Sequence, residues 1–181
     1  MLKKVLSLFT ALILLFSAAA ALAAAEKYSM VEDLQEFDVV VEIPEGAKYE
    51  QEPKEGWLCL KIWYEDAAKP SFDINVAFSE EVDNKFLADF TQEETDHLVA
   101  MVSADFSAPA YEFFDTPSGN KILFVRESDP EAGDYATMVT VYKGFFFSLY
   151  GSHADYAPLS EDDIALMHQI IEGTWINDTE K

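Results

Sequence analysis

An α+β domain built on a mostly antiparallel sheet of about six or seven strands, flanked by helices as an α/β/α sandwich, is the fold the sequence predicts. Three observations predict it. Short runs alternate apolar with polar residues, as half-buried strands do. Several of these runs are joined by tight turns, which suit antiparallel neighbours. Only two segments carry helix-start signals, one opening at Thr91 and one at Ser160.

Taken in order, Phe37 to Ile43 alternates, with Phe37, Val39, Val41 and Ile43 on one face, and Pro44-Glu45-Gly46 stops it. Tyr49 belongs to a short second strand. Trp57 to Tyr64 places Leu58, Leu60, Ile62 and Tyr64 on one face and Trp57, Cys59 and Trp63 on the other, the pattern of a central strand covered on both sides. Phe72 to Phe78 alternates again. Phe86, Leu87 and Phe90 make a short helical turn. Thr91-Gln92-Glu93-Glu94 is a capping-box pattern, and Leu98, Met101 and Val102 form the apolar stripe of the helix it opens; Pro109 closes the segment.

Four more strands follow: Tyr111 to Phe114, Lys121 to Glu127, Tyr135 to Tyr142 and Phe145 to Tyr150. The turn 115–120 and Lys143-Gly144 separate the pairs. Phe145-Phe146-Phe147 breaks alternation and needs cover, expected from within the chain. In the last helix Ser160 is the N-cap, acids fill the first turn, and Leu159 with Ile164 makes a hydrophobic staple. Ile164, Met167, His168 and Ile171 form its buried stripe. Gly173 stops it, and Trp175 pins the tail.

The chain opens with an export signal. Lys3 and Lys4 precede the apolar run Val5 to Phe16, and small residues follow to Ala25. Cleavage is expected after Ala23 or Ala25. Residues 1–25 are thus a signal peptide and 26–181 a single domain, secreted or periplasmic. Removing 25 of the 181 residues leaves 156, enough for a real core. The leader holds two of the 12 basic residues and no acid, so the mature chain sets 10 bases against 34 acids, a net charge of −24. Such a surface repels nucleic acid and anionic lipid and suits solubility in a crowded exterior first, with a cationic partner or divalent ions as the alternatives. No later segment approaches a membrane span. Cys59 is the only cysteine, so no internal disulfide forms, and its apolar setting predicts a buried thiol.

Three stretches carry a family resemblance. They are Phe37 to Gly46, ending in Ile-Pro-Glu-Gly; Thr116-Pro117-Ser118-Gly119-Asn120-Lys121 leading into an apolar strand; and Tyr142-Lys143-Gly144-Phe145 with the closing segment from Leu159 to Ile164. Over residues 30–176 the chain resembles the PsbP-like fold of the photosystem II extrinsic subunit, shared with a Ran-binding nuclear import factor. The resemblance implies the sandwich and no particular activity, because fold does not carry function.

Candidate chemistry is sparse. No His-x-x-x-His pair, Gly-x-Ser-x-Gly elbow, phosphate-binding loop or paired Cys-x-x-Cys is present. His97 and His168 lie beside helical stripes. His153 stands in a polar loop with aromatic neighbours, making Tyr150, His153, Asp155 and Tyr156 the candidate ligand-binding set. Asp129, Glu131 and Asp134 are the candidate calcium ligands, since alternating acids on a loop present hard oxygens. Glu80, Glu81 and Asp83 form a second acidic patch. The expected function is an exported, noncatalytic binding or accessory domain, with no catalytic residue and no resident cofactor. The alternatives are a hydrolase using acids with His153 and a calcium-dependent binding module.

Overall fold

The computed structural model describes residues 22–32, 35–54, 57–82, 84–103, 111–129, 133–155 and 157–177. These form an α+β fold. Strands β1 (Leu22–Glu32), β2 (Gln35–Pro44) and β10 (Trp175–Asn177) make a three-stranded sheet in the order β1-β2-β10. The main sheet holds β3 (Lys48–Lys54), β4 (Trp57–Trp63), β5 (Ser71–Phe78), β6 (Tyr111–Asp115), β7 (Lys121–Asp129), β8 (Gly133–Tyr142) and β9 (Phe145–Ser152). Its order is β3-β4-β5-β9-β8-β7-β6, and every pair is antiparallel. The helices are α1 (Gln92–Val102) and α2 (Glu161–Glu172), with two short 3-10 turns, Glu80–Val82 and Leu87–Asp89.

Each face of the main sheet has its own core. On one, β2 and α2 bury Val39, Val41, Ile164, Met167 and Ile170 against Leu60, Ile74, Met138 and Leu149. On the other, α1 and the 3-10 turns set Leu87, Leu98 and Val99 on Leu123, Val125, Val139 and Val141. Residues covered on both sides lose their alternation: Ile122 to Val125 in β7 and Ala136 to Val141 in β8 are all buried. The strand expected to be central, around Trp57 to Tyr64, instead lies one place from the edge. Its second face buries Cys59 but leaves Trp57 and Lys61 exposed. The three successive phenylalanines find cover within the chain, Phe145 and Phe147 in the first core and Phe146 against the second.

Both capping boxes form. Thr91 Oγ1 accepts from the Glu94 amide at 3.3 Å, and Glu94 Oε2 accepts from the Thr91 amide at 2.9 Å. The α1 stripe shifts by one position from the expected one. Val99 is buried beside Leu98, whereas Met101 is 57 % exposed. In α2, Ile170 takes the buried place expected for His168, which is only half-buried. Strand β1 has no counterpart in the predicted elements. Both alanines expected at the cleavage points lie in it; Ala25 pairs with Glu42, and Glu26–Glu32 continue the ladder to Gln35. The remainder of the expected signal peptide, residues 1–21, lies outside the described residues.

Candidate functional site

The start of α2 is fastened to the sheet from two directions. Ser160 caps the helix, and Asp163 Oδ2 accepts from the Ser160 amide at 2.8 Å and from its hydroxyl at 2.7 Å. His153, at the end of β9, places Nε2 3.1 Å from the same Asp163 oxygen. From β7, Arg126 Nη2 donates to the Leu159 carbonyl at 2.7 Å. The guanidinium also lies 3.6 Å from Asp134 and 4.0 Å from Glu161.

So anchored, α2 and the β6–β7 edge leave a groove of about 650 Å³ between them. Antiparallel register sets Glu112 opposite Phe124 and Phe114 opposite Ile122, so Glu112, Phe114 and Phe124 share the face below α2. The groove is lined by these residues with Tyr111 and Arg126 from the sheet, and by Glu161, Ile164, Ala165 and His168 from the helix. Its floor is aromatic: Phe114 meets Phe124 at 5.9 Å between ring centroids, and His168 meets Phe114 edge-on at 4.4 Å. Burial pushes the His168 imidazole below its ordinary range, against the pull of Glu172 and Glu112, so it is neutral at pH 7. Two carboxylates, Glu112 and Glu161, share the groove with one base, Arg126, which lies near Asp134 as well as near Glu161 itself.

A second hollow of about 460 Å³ lies at the other end of α2, lined in part by Thr116, Asn120, Thr140, Glu172 and Thr174. Its polar groups serve the fold. Asn120 Nδ2 donates to Thr140 Oγ1 at 3.1 Å and to the Val141 carbonyl at 2.8 Å, and Thr174 Oγ1 donates to the Ile170 carbonyl.

The described members of the predicted set around His153 each have a different partner. His153 is buried and turned to Asp163, while Tyr150 packs its ring on Tyr135 at 5.5 Å. Asp155 Oδ1 accepts from the Ala157 amide at 3.1 Å, an Asx-type turn, and Tyr156 lies outside the described residues. Of the predicted calcium ligands, Asp134 faces Arg126, the Asp129 backbone pairs with Gly133, and Glu131 lies outside the described residues. Among the described residues no three potential metal ligands come together. Glu80 and Glu81 are exposed on a 3-10 turn, Asp83 lies outside the described residues, and His97 is exposed on α1.

Sequence reasoning passed over the groove because its residues come from three separate segments. One signal was available: Arg126 is the only arginine in the chain, and it sits in a strand among apolar residues. The chain matches no model of a known protein family, and comparison with curated proteins finds no match.

Proposed function

We propose that the protein is an exported, noncatalytic binding domain whose ligand lies in the groove between α2 and the β6–β7 edge, presenting a cationic group on an apolar body. The observation that carries this is the pairing of an aromatic floor with two groove carboxylates. Phe114 and Phe124 offer ring faces and edges to an apolar body, and Glu112 and Glu161 attract its charge. The net charge of −22 for the whole chain draws cations toward the surface before contact. The leader supports export. The order of strands, helix, hairpin strands and closing helix supports a place among PsbP-like folds. His153, on which the hydrolase alternative rests, is engaged with Asp163 at the α2 cap.

Titration calorimetry with phenylethylammonium tests the groove. Ala165 is exposed and lines it, so Ala165→Trp fills the space without disturbing the core. The wild type is expected to bind phenylethylammonium more tightly than its neutral counterpart 2-phenylethanol, and Ala165→Trp to bind neither. Equal binding by the wild type and Ala165→Trp overturns the assignment of this groove.

A further inference from the structure

The two edges of the main sheet differ sharply. Strand β3 carries four charges and Pro53 in seven residues, and Lys48 and Glu52 are tied into ion pairs with Glu65 and Lys61. Charges and proline on an edge discourage a further strand. Strand β6 reads Tyr-Glu-Phe-Phe-Asp, with Tyr111 41 % and Phe113 37 % exposed and their rings in edge-on contact at 5.9 Å. No described strand pairs with its outer side. An aromatic edge with no described strand beside it is a template for an added strand.

We infer that the β6 edge accepts an extended peptide segment of alternating basic and apolar residues, adding an eighth strand to the main sheet and placing a basic side chain in the groove. This rests on the groove reading above and names the class of ligand. Alternation along β6 decides the pattern. Glu112 and Phe114 face the groove, while Tyr111 and Phe113, opposite Val125 and Leu123, face the other side. A strand laid beside β6 sends alternate side chains the same two ways. Basic residues then meet Glu112 and Glu161, and apolar ones meet the Tyr111–Phe113 pair.

The main chain is oriented to receive it. Thr116 N donates to the Asn120 carbonyl at 2.9 Å, closing the β6–β7 turn. Continuing the antiparallel alternation from that bond, Tyr111, Phe113 and Asp115 turn their amides and carbonyls outward. The other charged groups at this edge fit the assignment. Lys121 lies opposite Asp115 and over the Phe113 ring, on the side where the peptide presents apolar residues. Arg126 lies beside Asp134 and Glu161.

The probe is the capped hexapeptide Lys-Val-Lys-Val-Lys-Val with a fluorescent label, read by anisotropy at low salt. Two N-methylated versions retain every side chain, one blocking the amides that face β6 and one blocking the alternate set. Blocking the first set is expected to weaken binding at least tenfold, and blocking the second to leave it within twofold. Amide exchange at Tyr111 and Phe113 is expected to slow at least tenfold when peptide is bound. Equal binding by all three peptides, or unchanged exchange at both positions, overturns the inference. If phenylethylammonium binds the groove and the peptide does not, the edge inference falls and the groove reading stands; if neither binds, both fall. A peptide-free dimer protected at β6 identifies a second copy of the chain as the occupant and likewise overturns it.

Discussion

At the scale of single residues, Asp163 links several parts of the fold through one carboxylate. Burial works against its ionisation, but hydrogen bonds from Ser160 and His153 outweigh it and hold its pKa below the ordinary value. Glu94, bonded to Lys85 and Thr91, is lowered to about 2. A carboxyl lowered by folding adds stability that is complete above its unfolded pKa and is lost as pH falls through the folded one. Wild-type stability is therefore expected to drop between pH 4.5 and about 2. Glu94→Gln with Asp163→Asn should flatten that drop, measured by denaturant melts across the interval. Gly151 gives a second expectation. A Cβ there meets Met167 Sδ at 2.7 Å and Phe72 Cδ1 at 3.3 Å, and both side chains are fully buried. Gly151→Ala should cost about 1–3 kcal/mol in a urea melt, as overpacking does. The Thr91 and Ser160 caps were legible from sequence because a cap is local. The closeness of Gly151 to Met167 was not, because it depends on where α2 crosses β9.

At the scale of elements, α2 closes the first core and forms one wall of the groove. Met167 is fully buried there, whereas Glu172 is exposed. Met167→Asp buries a charge and should destabilise by several kcal/mol. Ser160→Ala removes a cap at a cost of about 0.5–2 kcal/mol. Glu172→Ala should be nearly silent. Denaturant melts rank the three, and a Met167→Asp as mild as Glu172→Ala would falsify the packing described for α2. Periodicity located both helices but misassigned one position in each. Met101 and Val99 both fit three- and four-residue spacings near Leu98, and only the sheet below selects Val99. In the same way Ile170 enters the core, while His168 turns to Phe114. Strand β1 went unseen because its sequence, from the small residues before Glu26 through Lys27-Tyr28-Ser29-Met30, lacks clean alternation.

At the scale of the whole molecule, the sheet was legible as a set of alternating runs, but its order was not. Order decides which strands are covered twice, and β7 and β8 take that place in the structure. The groove is a product of the same order: β6 ends the sheet, His168 of α2 reaches Phe114 of β6, and Arg126 ties the start of α2 to β7. Segments around residues 111–115, 121–126 and 161–168 meet only once the chain is folded.

That the groove holds a cation is tested most directly at His168, whose ring forms part of its lining. Proton resonances of the imidazole, followed against pH, report its pKa without and with phenylethylammonium. A cation beside the ring disfavours a second positive charge, so binding should lower the pKa by about half a pH unit or more. By linkage, affinity should rise as pH is raised through the His168 titration, with Glu112, Glu161, Glu172 and Arg126 as the neighbouring fixed charges. The His97 resonance, exposed on α1, should not respond to the probe. A free His168 that titrates below the ordinary 6.5, and lower still with saturating probe, is the expected result. A His168 titration unmoved by saturating probe, or one that rises, contradicts the groove as the cation site.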